Sequence, residues 1–235
     1  LPRHYISENP KPLVSAYIGS YLQDEIVAEA KTRNIQTFSR FLEAAAFSNG
    51  EIVNFSNIAT DCGVSAPTIK EYFHILEETL IGRFLPSYRK KPKRRVIQAP
   101  KFYLFDTAIA NHLLKRGTIE MGSELFGRSF EHFIYNELFA HSRYSGLHYE
   151  LSYWRTASQM EIDFVLGENE VGIEIKGSQH ITPRHLKGLK SFAEEYQVKK
   201  LILVSTDPYT RQIGNITAMP WNIFLDKLWA GEIIS

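Results

Sequence analysis

Cysteine is almost absent from this chain of 235 residues, which contains only Cys62. An intramolecular disulfide is therefore excluded, and a reducing cytoplasm is the compartment that we expect. No apolar run approaches the ~18 residues that a membrane-spanning helix needs, so no membrane contact is predicted. The chain begins at Leu1 without a methionine or a signal-peptide pattern, and we expect it to be the C-terminal part of a longer protein.

The composition is that of a folded protein. Hydrophobic residues make up 44% of the chain and aromatic residues 13%, and the net charge is +1. A disordered chain would be poorer in apolar residues and more strongly charged. A domain typically takes about 100–200 residues, and we interpret this length as two domains.

The positive charge is concentrated in one segment. Residues 83–105 contain eight lysines and arginines and no acidic residue, and the densest part is "RKKPKRR" at 89–95. Such a run indicates either a nucleic-acid contact or a solvated loop. If DNA is a partner, the DNA-binding residues are predicted to be Arg89, Lys90, Lys91, Lys93, Arg94 and Arg95.

The N-terminal part, residues 1–105, is predicted to be a helical and winged-helix domain. "LVSAYIGSYLQDEIVAEA" and "TFSRFLEAAAFSNG" repeat apolar residues at helical spacing. "FSNIATDCGVSAPTIKEYFHILEETLIG" indicates a helix-turn-helix in which Ser65 is the N-cap and Ile69, Phe73, Leu76 and Leu80 face inward. Two strands, "RFLPSYR" and "RVIQAPKFYLFD", would flank the basic run as a wing. Because the second helix exposes more acids than bases, the wing is the better DNA contact, and a domain connector or protein interface is the alternative.

The C-terminal part, residues 106–235, is predicted to be an α/β domain. A linking helix and the amphipathic helix "GSELFGRSFEHFIYNELFAHSRY" precede three strands that alternate with period two. "TPRHLKGLKSFAEEYQ" opens like a helix, and "KKLILVS" is suited to a buried strand. The predicted order is α-β-β-β-α-β.

The hairpin "EIDFVLGENEVGIEIK" carries the main candidate site. If Gly167–Glu170 is the loop, Leu166 pairs with Val171, which sets Asp163 opposite Glu174 and Glu161 opposite Lys176. Like charges at opposed positions repel, and a divalent cation such as Mg²⁺ or Mn²⁺ would compensate them. The alternative is a solvated polar face on which Lys176 pairs with Glu161.

These residues carry a resemblance to a known superfamily. Asp163 followed by "EIK" at 174–176, with the helix containing "GRSFE" before them, resembles the PD-(D/E)xK nucleases, which have a restriction-endonuclease-like fold. The blocks "APKFYLFDTAIANHLL", "GRSFEHFIYNEL", "YWRTASQMEIDFVL" and "IEIKGS" resemble the DUF4143 C-terminal region of predicted prokaryotic AAA-type ATPases. This resemblance covers almost the whole chain and implies an upstream ATPase module as a partner.

The resemblance also implies roles for single residues. Asp163 and Glu174 would bind Mg²⁺ or Mn²⁺, Lys176 would be the catalytic lysine, and Glu131 would be the acid of the preceding helix. Glu137 lies nearer the middle of the apolar helix face and is an alternative to Glu131. His180 and His185 are predicted to be surface residues rather than metal ligands, and the tryptophans to be core or interface residues rather than base-stacking platforms.

The leading functional expectation is a DNA-associated, metal-dependent nuclease. The alternative is a catalytically inactive module of the same fold that binds DNA or protein and targets an attached ATPase. A transcriptional regulator acting through the winged helix is a third possibility, which the acidic helix surface disfavours. The sequence contains no G-x-x-x-x-G-K-[ST] motif, so no ATP hydrolysis is expected from this chain alone.

Overall fold

The computed structural model describes residues 6–8, 10–22, 35–90 and 92–235. The chain forms two compact units, Leu1–Phe84 with Lys101–Thr118 and Leu85–Pro100 with Ile119–Ser235. The predicted boundary after residue 105 differs from this division, because the chain leaves the first unit after Phe84 and returns to it at Lys101. Part of the first predicted helix, residues 23–30, and Lys91 of the basic run lie outside the described residues.

The first unit consists of helices and a two-stranded sheet. Its helices are α1 (Pro10–Ala16), which continues as a π-helical segment (Tyr17–Leu22), α2 (Ile35–Phe47), α3 (Phe55–Cys62), α4 (Ala66–Glu78) and α5 (Thr107–Leu113). The sheet pairs β1 (Gly82–Leu85) with β2 (Lys101–Leu104).

Helices α3 and α4 are the two consecutive helices that the sequence predicts. Residues between them end the first helix and begin the second. Gly63 ends α3 in the left-handed conformation at φ 68°, and Ser65 accepts a hydrogen bond from Thr68 N–H at 3.3 Å as the N-cap of α4. Ile69, Phe73 and Leu76 are buried as predicted. The prediction that Leu80 faces inward is wrong, because α4 ends at Glu78 and Leu80 is 63% exposed.

Aromatic rings fill the core of the first unit. Phe73 packs edge-on against Phe41 and Phe102, with ring centroids 5.0 Å and 4.8 Å away. Gly82 permits the strands to approach this cluster, since a Cβ at that position would lie 2.2 Å from the Phe102 ring. The helices are therefore held to the small sheet by one continuous apolar core.

The second unit is a mixed α/β fold built on a six-stranded sheet. Its helices are α6 (Glu124–Tyr144), α7 (Lys187–Glu195), which follows a 3₁₀ turn (Pro183–Leu186), and α8 (Trp221–Trp229). Its strands are β3 (Leu151–Arg155), β4 (Glu161–Leu166), β5 (Val171–Lys176), β6 (Lys200–Ser205), β7 (Arg211–Ile213) and β8 (Ile216–Pro220). The segment from α6 to β6 follows the predicted α-β-β-β-α-β order, and β7, β8 and α8 extend it.

The sheet has the strand order β3-β4-β5-β6-β8-β7. Strands β3, β4 and β5 are antiparallel, whereas β5, β6 and β8 are parallel, so the carboxyl ends of β5 and β6 lie at the same edge. A Cβ at Gly172 would contact Phe192 of α7, while Ile173 pairs with Phe164, whose ring lies 6.1 Å from Tyr135 of α6. Since successive strand residues face opposite sides, α6 and α7 cover opposite faces of the sheet.

The segment 85–100 belongs to this second unit and lies along the edge of β3. Tyr88 N–H and Ile97 N–H donate to the carbonyls of Tyr153 and Arg155 at 2.6 and 2.8 Å, and Ala157 N–H donates to Arg95 O at 2.8 Å. The basic run lies in the connection between β1 and β2, but residues on both sides of it are bonded at β3, so it does not project as a separate wing. These flanking residues satisfy backbone groups that an edge strand leaves open.

No helix within the described ranges is both long and apolar enough to pass through a bilayer.

Candidate functional site

The β4–β5 hairpin has the predicted register. Leu166 pairs with Val171, Val165 with Gly172 and Phe164 with Ile173 across a four-residue turn. The paired region ends at this point, before Asp163 and Glu174. The two carboxylates therefore lie where the strands separate, rather than within a continuous ladder.

Asp163 lies in an irregular part of β4 that the alternation pattern does not reveal. The pairing of β3 with β4 changes register between Ser152, which pairs with Val165, and Trp154, which pairs with Ile162. This shift adds one residue to β4 and is a β-bulge, a feature that redirects side chains. The Asp163 carboxylate consequently reaches across to β5 and accepts a hydrogen bond from Ile175 N–H at 2.7 Å.

The largely buried Glu174 forms an ion pair with the partly exposed Lys176. Lys176 Nζ lies 2.5 Å from Glu174 Oε1, and the Glu174 side chain is only 10% exposed. The other carboxylate oxygen, Glu174 Oε2, is buried and has no hydrogen-bond partner. Burial raises the pKa of Glu174 well above its ordinary value, and the charge of Asp163 raises it further, although Lys176 opposes both effects.

Lys176 is held in its charged form by the same cluster. Burial alone would lower the pKa of Lys176, but the negative charges of Asp163 and Glu174 and the hydrogen bond to Glu174 raise it above its ordinary value. The Lys176 side chain is 31% exposed, so its ammonium group remains accessible from the surface. The Lys176 ammonium group is therefore a partly accessible cation that is already paired with Glu174.

Glu161 forms an ion pair with Arg155, whereas the alternative of a solvated polar face pairs it with Lys176. Arg155 Nη1 lies 3.2 Å from Glu161 Oε2, and these two residues are also cross-strand neighbours on β3 and β4. The ion pair of Lys176 is with Glu174 instead.

The two candidate acids of α6 are in different surroundings. The charge of Glu131 contributes to raising the pKa of Lys176, which indicates that this half-buried side chain belongs to the same electrostatic cluster. Glu137 accepts a hydrogen bond from Trp229 Nε1 at 3.0 Å, so its carboxylate is directed at α8.

His185, which the sequence predicts to be a surface residue, lies near Lys176. Burial lowers the pKa of His185, and the positive charges of Lys176 and Arg184 lower it further. Its position follows from the 3₁₀ turn before α7, which contacts β5. The helix-start signal at Thr182 and Pro183 was visible in the sequence, but the proximity to Lys176 depends on tertiary packing.

The basic run is divided between paired and unpaired side chains. Lys90 forms an ion pair with Glu168, and Arg94 forms one with Glu194 at 2.8 Å. The exposed side chains of Arg89, Lys93 and Arg95 form no ion pair with any other described residue. Within the described part of the run, these three cations are thus the ones available to an anionic ligand.

Buried Glu195 fixes the backbone of the basic run. Its Oε1 accepts hydrogen bonds from the N–H groups of Lys93 and Arg94 at 2.9 and 3.3 Å, and its side chain is only 1% exposed. The backbone at Lys93 and Arg94 is therefore bonded directly to α7 of the second unit.

Asp163, Glu174 and Lys176 form the strand-end cluster, and the two carboxylates fit a divalent cation of the magnesium type. Within the described part of the chain, no group of three or more His, Cys, Asp or Glu side chains is arranged to hold a metal ion. Mg²⁺, however, commonly uses one or two carboxylates and completes its coordination with water and substrate phosphate. The buried, unpartnered Glu174 Oε2 next to Asp163 is the kind of donor that such an ion requires.

Two family models match the chain. Residues 3–120 match the domain of unknown function DUF8612, and residues 126–224 match the domain of unknown function DUF4143. The second match contains Asp163, Glu174 and Lys176 and confirms the DUF4143 resemblance for residues 126–224. The prediction that this resemblance covers almost the whole chain is wrong, because the block at 99–114 lies in the DUF8612 match. No curated protein and no solved structure matches the chain.

Proposed function

We propose that this chain is a metal-dependent nuclease that hydrolyses phosphodiester bonds. It belongs to the DUF8612 family, whose model matches half of its length, and its C-terminal part matches DUF4143. The reacting cluster would be Asp163, Glu174 and Lys176. The observation that carries the proposal is the buried Glu174 Oε2 atom, which has no hydrogen-bond partner beside a second carboxylate. An interior carboxylate oxygen without a partner is costly, and a cation would compensate it.

Asp163 and Glu174 would hold the cation. When bound, Mg²⁺ or Mn²⁺ would act as a Lewis acid on the scissile phosphate and lower the pKa of an attacking water. The resemblance of Asp163 and "EIK" to the PD-(D/E)xK pattern, and of the α-β-β-β-α-β order to the restriction-endonuclease-like fold, supports this assignment.

Lys176 would stabilise negative charge on the phosphate rather than abstract a proton. The carboxylates around it raise its pKa, so it keeps its proton at neutral pH and is unsuited to act as a general base. A fixed ammonium group beside the developing charge is instead a preorganised electrostatic contact. Glu131 would contribute through its charge on Lys176.

A non-catalytic binding module is the second candidate function, and one contact favours it. Lys176 Nζ lies 2.5 Å from Glu174 Oε1, so the lysine neutralises part of the acidic pair without any ion. In that case the second unit would bind DNA through its basic run and target an attached ATPase module, as the DUF4143 resemblance implies. The two functions share a fold and differ in whether Asp163 and Glu174 bind a cation.

Cleavage assays with three matched proteins separate these functions. The 235-residue chain would be incubated with linear, supercoiled, single-stranded and branched DNA in Mg²⁺, Mn²⁺, Ca²⁺ or EDTA, beside Lys176→Ala and Lys190→Ala, which removes an exposed lysine on α7. We expect cleavage in Mg²⁺ or Mn²⁺, loss of cleavage in Lys176→Ala, and full activity in Lys190→Ala. Failure to cut any substrate, together with no divalent-ion binding in calorimetry, would leave only the binding module.

A further inference from the structure

His185 lies on the side of the sheet that Lys176 faces. Along β5, a Cβ at Gly172 would lie 3.5 Å from the Phe192 ring of α7, and Lys176 faces the same side because strand side chains alternate. The 3₁₀ turn that carries His185 leads directly into α7 and contacts β5. The half-buried His185 ring therefore approaches Lys176 from the α7 side of the sheet, and the charge of Lys176 lowers the pKa of this ring.

The start of α7 also packs against the strand that carries Asp163. A Cβ at Gly188 would lie 1.8 Å from the carbonyl oxygen of Glu161, so glycine alone permits this approach of the helix to β4. Glu161 precedes Asp163 on the same strand, and its charge contributes to raising the pKa of Glu174. The turn with His185 is thus anchored next to the strand-end cluster by contacts with both strands of the hairpin.

The two ring nitrogens of His185 have different surroundings. Nδ1 accepts a hydrogen bond from Thr182 N–H at 3.4 Å, at the start of the 3₁₀ turn. Among the described residues, Nε2 has no hydrogen-bond partner. Burial and the charges of Lys176 and Arg184 lower the pKa of the ring, so the ring is neutral at neutral pH. Since Nδ1 of this neutral ring is an acceptor, the proton lies on Nε2, which is an available donor.

We infer that His185 contacts the substrate and donates Nε2–H to an oxygen of the phosphate that binds at Lys176. The inference rests on the proposed function and adds a neutral donor to the charged groups of the site. Phosphate oxygens accept hydrogen bonds from many kinds of side chain, and a hydrogen bond to a charged oxygen is stronger than one between neutral groups. Because His185 is neutral, it can lie beside Lys176 at one phosphate without electrostatic repulsion.

Two substitutions of His185 separate the roles of its nitrogens. Asparagine offers an acceptor near the position of Nδ1 but does not reach that of Nε2, whereas glutamine offers a donor that reaches the position of Nε2. His180→Asn is the matched control, because His180 is an exposed histidine of the same connection between β5 and α7. Thermal melting would monitor the folding of each variant.

Binding of a short DNA duplex and of its single strand to the 235-residue chain would be measured by fluorescence anisotropy in Ca²⁺, which we expect to permit binding without turnover. We expect His185→Asn to weaken binding of the form that the parent prefers about tenfold, the lower end of the range for a hydrogen bond to a charged group. His185→Gln should restore most of the affinity, and His180→Asn should leave it unchanged. Since both residues contact one phosphate, Lys176→Ala and His185→Asn combined should weaken binding by less than the product of their single effects.

Nitrogen chemical shifts of histidine-labelled protein test the contact without any substitution of His185. In the free parent, His185 should be protonated on Nε2 only, and DNA should shift the Nε2 signal in the parent but not in Lys176→Ala. A proton on Nδ1 in the free parent, or no binding of either DNA form by the parent, would overturn the inference. Parent-like affinity in folded His185→Asn, or equal losses in His185→Asn and His180→Asn, would overturn it as well.

The outcome also separates this inference from the nuclease proposal. DNA binding that depends on His185 and Lys176 in a chain that cuts nothing would retain the phosphate contact and reject the chemistry. Cleavage that depends on Lys176 but is unchanged in His185→Asn, with unchanged DNA affinity, would retain the chemistry and reject the contact.

Discussion

At the scale of single residues, Asp163 has a structural role in addition to its proposed role in metal binding. Its carboxylate accepts the N–H of Ile175 at 2.7 Å, in a place where the β4–β5 ladder has ended. The alternating pattern of the hairpin predicts that Asp163 and Glu174 approach each other, and the charge of Asp163 adds to burial in raising the pKa of Glu174. The pattern does not predict this hydrogen bond, because the bulge depends on pairing with β3.

Two substitutions at Asp163 should therefore differ in stability. Asp163→Ala leaves the buried Ile175 N–H without an acceptor and should cost about 1–3 kcal/mol of unfolding free energy. Asp163→Asn keeps an acceptor oxygen and removes the repulsion with Glu174, so metal-free protein should be equally or more stable than the parent. Urea unfolding in EDTA measures both.

The parent should also gain stability from Mg²⁺, and Asp163→Asn should lose that gain, because only a native site binds the ion. If Asp163→Asn were as unstable as Asp163→Ala in EDTA, charge rather than hydrogen bonding at Asp163 would be what the fold requires.

At the scale of elements, the hairpin and the basic run show what the sequence could and could not predict. The register from Phe164 to Val171 was predictable, because a four-residue turn and period-two alternation leave one pairing that buries the apolar face. The path of the basic run was not predictable from the sequence. The residues on either side of the run satisfy edge groups of β3, which are distant in sequence and give no signal in the run itself.

The structure changes the prediction for DNA binding by the basic run. Arg89, Lys93 and Arg95 have no ion pair among the described residues, whereas Lys90 and Arg94 are paired with Glu168 and Glu194. Replacing the first three by alanine should weaken duplex binding strongly. The slope of log K against log salt should fall by roughly 2–3, because each lost phosphate contact releases about 0.9 fewer counterions.

The double variant Lys90→Ala with Arg94→Ala is the control, and its salt slope should change less. Fluorescence anisotropy at several salt concentrations measures these slopes. Equal slopes for the parent and the triple variant would remove the basic run as a DNA contact.

At the scale of the whole molecule, the chain is not two consecutive domains. Residues 85–100 leave the first unit and complete the second, while 101–118 return to the first. The hydrophobic periodicity predicts the individual helices and strands, but it contains no information about which unit an extended segment joins. A boundary after residue 105 consequently separates β3 from the segment that covers its edge.

A fragment spanning 119–235 should therefore fold poorly. It lacks the partners of the Tyr153, Arg155 and Ala157 backbone groups, and an open strand edge promotes aggregation. Joining residues 85–100 to the fragment through a Gly/Ser linker should restore a soluble, cooperatively melting protein. Size-exclusion chromatography and thermal melting compare the two forms. A monomeric 119–235 fragment with the same melting temperature as the fusion would show that the edge segment is dispensable.

The most direct measurement of the central claim is anomalous diffraction from crystals of the 235-residue chain soaked in Mn²⁺. The account predicts an anomalous peak bound by Asp163 and Glu174 Oε2, with Lys176 Nζ moved away from Glu174 or retained on Oε1 only. The peak should be absent from crystals of Glu174→Gln, in which one anionic ligand is lost while shape is kept. Ordered Mn²⁺ elsewhere on the protein, with Lys176 still paired to Glu174 and no peak between the two carboxylates, would contradict a metal-dependent nuclease.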